Sequence, residues 1–133
     1  MIRAYTDMVA DLFHIGHLNL IKRAKEKCDH LIIGIHTDTD VASYKRKPII
    51  SEKDRYEIIR SCRYVDEVIE SAPLIITEDF IKKNKIDIII RGDDVTTEHM
   101  KQLKVPLELG IVKFLPRTKN ISTSDLINKI KEL

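Results

Sequence analysis

Three short runs, "LIIGIH" (31–36), "IDIII" (86–90) and "IVKFL" (111–115), are nearly continuous in apolar, largely β-branched residues. Each is too short for a buried helix. Strands covered on both faces of a parallel sheet read this way, because neither alternating set of side chains meets water. "IRAYTDMV" (2–9) and "VDEVIE" (65–70) predict two further strands. Between them, "HLNLIKRAKEKC", "SEKDRYEIIRSC", "TEDFIKKNK" and "TEHMKQL" carry helical spacing, the first with Leu18, Ile21 and Ala24 at steps of three. Ser51 and Thr77, each followed by acids, read as N-caps, and "STSDLINKIKEL" closes the chain as a capped amphipathic helix. Strand and helix in regular succession, joined by right-handed crossovers, predict an α/β, Rossmann-like, doubly wound three-layer fold with a mainly parallel five-stranded sheet.

At 133 residues the chain suits a single domain, residues 1–133, and it shows no repeat, low-complexity tract or linker. Lysine and arginine number 23 against 21 acids, a net +2, so no bulk positive field points to nucleic acid and any anion site must be local. No apolar run approaches the ~20 residues of a membrane span, and "MIRAYTD" lacks the apolar core of a secretory signal; a cytoplasmic protein without membrane partners is expected. Cys28 and Cys62 form no CxxC pair, which argues against a disulfide framework or a four-ligand zinc site.

Ligands of doubly wound sheets bind at the carboxyl ends of strands, beside a switch in strand order. The first predicted strand ends near Val9, which puts "HIGH" (His14 to His17) at that edge, where a helix begins. Unpaired N–H groups and the positive dipole end of a helix favour phosphate there. Gly16 removes a side chain where a phosphate would approach, and the His14 and His17 imidazoles add donors, charge-assisted when protonated. Such donors act most when negative charge builds on a phosphorus under attack, so phosphoryl or nucleotidyl transfer is the functional reading. Two others stand beside it: helix-capping histidines at the surface, or metal binding with Asp11, although two histidines and one acid make an incomplete ligand set.

"DLFHIGH" resembles the H-x-G-H signature of the nucleotidyltransferase superfamily, and "CRYVDEV" (62–68) with "RTKNISTSDLI" (117–127) resembles its CTP-using branch, the cytidylyltransferases. Ordered matches run from "AYTDMVADLFHIGH" to the last helix. The resemblance implies that His14 and His17 stabilise the α-phosphorus, with Lys45 of "YKRKP" closing over the phosphates and Arg46 and Lys47 near enough to share that role. It implies a second phosphate element at Arg117, Thr118, Ile121, Ser122 and Thr123. Nucleotide contacts are implied at Val9, Ala10, Asp11, Gly16, Arg63 and Asp94, and acceptor contacts at Asp38, Arg46 and Arg55. Each position also has an ordinary structural alternative: a solvated basic loop for Lys45, an N-cap for Ser122, an Arg63–Asp66 pair, loop aspartates at 38 and 94, and a helix-surface charge at Arg55.

The reaction so implied transfers CMP from CTP to a small phosphorylated alcohol by in-line displacement, with Mg²⁺ accompanying the triphosphate, in a homodimer. Related ATP-using enzymes and a non-catalytic nucleotide-binding module are the alternatives. Ethanolamine phosphate and glycerol 3-phosphate compete as acceptor, since Leu74 follows "AP" where choline-specific relatives have an aromatic and the chain has no Trp. Two departures stand out. Met8, Val9 and Ala10 precede Asp11 where relatives carry G-x-F, and Asn120 replaces the glycine of the second phosphate element; Asn is among the few residues that tolerate a left-handed backbone.

Overall fold

The computed structural model describes residues 1–133. Its elements run β1 (Arg3–Met8), α1 (Ile15–Glu26), β2 (His30–Ile35), α2 (Asp38–Ala42), α3 (Glu52–Arg60), β3 (Glu67–Ile69), α4 (Glu78–Lys83), β4 (Ile88–Gly92), α5 (Thr97–Gln102), α6 (Lys104–Glu108), β5 (Val112–Leu115) and α7 (Thr123–Lys131). The five strands form one sheet in the order β3-β2-β1-β4-β5, every pairing parallel. The expected α/β architecture is therefore present. The chain winds outward from β1 to β3, then returns to β1's other side at β4, so the strand order switches between β1 and β4 and opens a crevice at their carboxyl ends.

Alternating side chains of the central strands feed two separate cores. Ala4, Leu31, Ile33, Ile35 and Ile90 pack with Ile21 and Ala24 of α1 and Ile59 of α3 on one face. Tyr5, Ile32 and Ile89 pack with Ile81 of α4 and Leu103 on the other. Each fully buried isoleucine contributes about 1.5–3 kcal/mol of transfer free energy, so the two-sided burial is what holds the sheet. One packing detail explains a glycine: a Cβ on Gly34 would lie 2.0 Å from the Tyr5 hydroxyl, which fills that space.

Two short helices escape the sequence pattern. α2 follows its Thr37 N-cap, and its five residues are too few for a periodicity to register. Pro106 sits in the first turn of α6, where its missing N–H breaks no helical bond.

Candidate active site

Between β1 and α1 the backbone makes two left-handed steps, at Ala10 (φ 58°) and Leu12 (φ 50°), to bring the start of α1 back over the sheet edge. An L-residue there sacrifices roughly 1–2 kcal/mol, and Ala10, the smallest chiral side chain, is fully enclosed at this bend. Asp11 then ties the crevice together. Its carboxylate accepts from Ile49 N (2.8 Å) and Ile50 N (2.9 Å), which anchors the basic loop of Lys45 and Arg46 against the "HIGH" loop.

His14 is the N-cap of α1, and its Nδ1 accepts from Gly16 N at 3.0 Å. His17 returns the favour in capping-box fashion, its Nδ1 accepting from His14 N at 3.1 Å. A ring nitrogen that accepts carries no proton, so both neutral imidazoles hold theirs on Nε2, the donor left for a ligand. The rings stack 3.9 Å apart, with Phe13 on the far side of His17. Burial, the neighbouring His14 and Lys45 drive the His17 pKa down to about 4, against a smaller upward pull from Asp11, and burial lowers that of His14. Both rings are neutral donors near pH 7. The sequence suggested a different reason for Gly16: a Cβ there would meet the His14 ring at 2.8 Å, so the glycine makes room for the capping histidine rather than for a phosphate.

A second helix start converges on the same point. Ser122 caps α7 through a bond from Asp125 N (3.0 Å), and the Thr123 hydroxyl donates to Asp11 O (3.0 Å) while lying 3.4 Å from His14 Nε2. The preceding turn is set by Asn120 at φ 64°, the left-handed conformation expected of it. Thr118 accepts from Asn19 Nδ2 (2.9 Å), and Arg117 N donates to Asp93 (3.1 Å). Arg46 Nη2 reaches Ser124 Oγ at 3.2 Å, spanning from the basic loop to α7. Although that loop is exposed, partial desolvation and the adjacent Arg46 charge lower the Lys45 ammonium's pKa, with Asp11 pulling upward.

These groups surround a cavity of about 350 Å³ at the β1–β4 switch. His14, His17, Lys45, Arg46 and Arg117 line it, as do Val9, Ala10, Asp11, Gly16 and Asp94 and the stretch Thr118, Ile121, Ser122 and Thr123. Three sequence candidates do not. Arg55 is completely buried beneath the crevice; its guanidinium donates to Ile50 O (3.0 Å), Val9 O (2.6 Å), His36 O (2.9 Å) and Asp38 (2.7 Å). Asp38 is thereby Arg55's partner and also accepts from Glu52 N. The expectation of acceptor contacts at Asp38 and Arg55 is corrected to scaffolding, because no guanidinium donor is left for a ligand. Arg63 lies outside the cavity, exposed over the Tyr64 ring and donating to its hydroxyl (2.9 Å). Nor does it pair with Asp66, which accepts from Lys25 Nζ (2.7 Å) and Leu31 N (2.8 Å).

The crevice floor holds a cluster that the sequence reading passed over. Asp7, Arg91 and His36 stand at or just past the carboxyl ends of β1, β4 and β2. Arg91 grips Asp7 through Nε (2.6 Å) and Nη2 (2.8 Å); His36 Nε2 lies 3.3 Å from the same carboxylate and Nδ1 3.1 Å from Ala72 O. Burial alone would raise the Asp7 carboxyl, but Arg91 and His36 outweigh it and hold the pKa below the ordinary value. A signal existed: each is a polar residue closing an apolar strand at the ligand edge.

A crevice at a strand-order switch, with two helix N-termini, neutral imidazole donors and three cations converging in it, defines a phosphate-binding α/β protein of the nucleotide-handling kind. The cytidylyltransferase-like family profile matches residues 6–129, and the chain belongs to this family. It is 34% identical over 131 residues to the ethanolamine-phosphate cytidylyltransferase of Dictyostelium discoideum, covering 97% of this chain and 36% of that protein. It is 38% identical over 134 residues to a probable choline-phosphate cytidylyltransferase of Schizosaccharomyces pombe, covering 97% and 37%. The chain thus spans little more than a third of the length of these curated relatives. Among solved structures, the lipopolysaccharide core biosynthesis protein of Thermoplasma volcanium superposes with a TM-score of 0.73 at 27% identity, over 91% of this chain and 99% of that one.

Proposed function

We propose that the protein transfers CMP from CTP to a small phosphorylated alcohol, forming a CDP-alcohol and pyrophosphate. The observation that carries this reading is the meeting of the α1 and α7 N-termini around His14 Nε2 and the Thr123 hydroxyl. A triphosphate seated there meets backbone N–H groups, neutral Nε2–H donors from His14 and His17, and the charges of Lys45, Arg46 and Arg117. An oxygen of the acceptor's phosphate attacks the α-phosphorus in line, the bond to the β-phosphate oxygen breaks, and pyrophosphate leaves with its electron pair. Preorganised donors serve the charge that grows on the α-phosphate oxygens, and positioning supplies much of the rest.

No three His, Cys, Asp or Glu side chains gather into a cation cage. Of the lining carboxylates, Asp7 and Asp11 are engaged by protein, while Asp94 is exposed beside Arg117. That donor set suits a Mg²⁺ held mainly by the triphosphate and water, with Asp94 within its surroundings; the ion would supply charge neutralisation.

Pyrophosphate release with Mg²⁺, comparing CTP with ATP against a panel of phosphorylated alcohols, tests the reading. Turnover with CTP alone is the expected result. Turnover with ATP alone points to an adenylyltransferase, and CTP binding without turnover to a binding module. The reading extends to a homodimer, tested by sedimentation at micromolar concentration; a one-chain mass counts against it.

A further inference from the structure

Resting on the reading just given, the acceptor's chemistry follows from the polar groups that remain once the protein's own bonds are made. Three carboxylates line the cavity. Asp11 is occupied by two backbone N–H groups, and Asp94 lies exposed at the rim, where it and Arg117 flank Gly92. Asp7 is the only one on the floor, and it is closed by Arg91 and His36. The floor therefore offers no carboxylate to a cationic head group.

What it does offer is donors. Arg91 spends Nε and Nη2 on Asp7, and Nη1 has no protein partner. Gln102, 3% exposed and lining the cavity, has a buried Nε2 without a partner. His99 Nδ1 accepts from Thr96 N (3.2 Å), which leaves its proton on Nε2; burial first, then the nearby Arg91 charge, push this ring toward neutrality. An alkylammonium is a donor without lone pairs and would meet donors and a guanidinium charge, whereas hydroxyl oxygens accept from all three. A quaternary ammonium would need aromatic faces, and Tyr44 is the one Phe, Tyr or Trp ring on the lining.

We propose that the acceptor is a phosphorylated polyol, bearing hydroxyls and no cationic group, whose hydroxyl end is received by Arg91, Gln102 and His99. The Asp7–Arg91 pair then acts as the specificity element, turning a floor that would attract an amine into one that rejects it.

The test measures kcat/KM of the wild-type protein with CTP and Mg²⁺ for glycerol 3-phosphate and inositol 1-phosphate against ethanolamine phosphate and choline phosphate. A polyol phosphate is expected to lead by at least ~100-fold, the scale of a site built to bond hydroxyls. Equal or better use of either amine overturns the proposal. Should no acceptor release pyrophosphate, the transfer reading fails on its own, and calorimetric binding of the same four compounds decides the acceptor chemistry. Tighter binding of a polyol phosphate supports the proposal; equal or tighter binding of an amine, or binding of none, overturns it. Arg91→Gln should free the Asp7 carboxylate and raise the ethanolamine-to-polyol ratio of kcat/KM by at least ~10-fold. An unmoved ratio in folded variant refutes the assigned role, and the wild-type panel decides if that variant does not fold.

Discussion

Acidification should unfold this protein through one histidine of the phosphate site. His17 is neutral in the folded chain down to about pH 4, because burial and its neighbours disfavour the imidazolium, while the same ring titrates near 6.5 when unfolded. A folded pKa depressed below the unfolded one leaves stability intact above 6.5 and withdraws it as pH falls toward 4. The interval corresponds to about 3 kcal/mol, a large share of the 5–15 kcal/mol that holds an ordinary domain. His17→Gln isolates the effect: glutamine at this third helical position can still accept from the His14 N–H, preserving the capping box, but does not titrate. Urea unfolding followed by far-UV circular dichroism at pH 7.5, 6, 5 and 4 gives the stability of both proteins. The wild type should lose about 3 kcal/mol more than the variant across that range, with every other group common to both. Parallel curves would refute the claim that His17 is buried as a neutral donor, as would an NMR titration placing its ring near 6.5.

Three further outcomes are expected. His17→Ala removes a preorganised Nε2–H donor and should lower kcat about 100-fold with a much smaller change in CTP affinity, read from pyrophosphate release and calorimetry. Arg55→Ala strips the Val9, His36 and Ile50 carbonyls and the Asp38 carboxylate of their donor, and should destabilise by about 3 kcal/mol or more in urea unfolding; an effect below about 1 kcal/mol would contradict its scaffolding role. Tyr5→Phe deletes a buried hydroxyl that has no hydrogen-bond partner, so thermal unfolding should show unchanged or raised stability, up to about 1 kcal/mol.

Much of this molecule is legible in local pattern. Runs such as "LIIGIH" and "IDIII" declare strands covered on both faces, the amphipathic stretches between them declare crossover helices, and their alternation is enough for a parallel doubly wound sheet. "HIGH" and "RTKNIST" were equally readable, because phosphate binding at a helix start uses neighbouring residues of one segment. The Asn120 turn was readable for the same reason. Such features depend on a few consecutive residues.

Other features depend on which strand lies beside which. Asp7 and Arg91 are 84 positions apart, and nothing in either segment says that they will meet; the placement of β4 against β1 makes them a closed ion pair rather than two free charges. Arg55 reads as a surface charge on an amphipathic helix, yet α3's packing under the β1 and β2 ends encloses it among carbonyls. The protonation of His14 and His17 was likewise undecided by their spacing, since burial sets it. Residue type and order determined the elements, the sheet and the phosphate loops of this protein. Charge pairing, burial and the chemistry left over for a ligand were decided by tertiary structure alone, because electrostatic and hydrogen-bond partners are chosen by distance in space, which local periodicity does not encode.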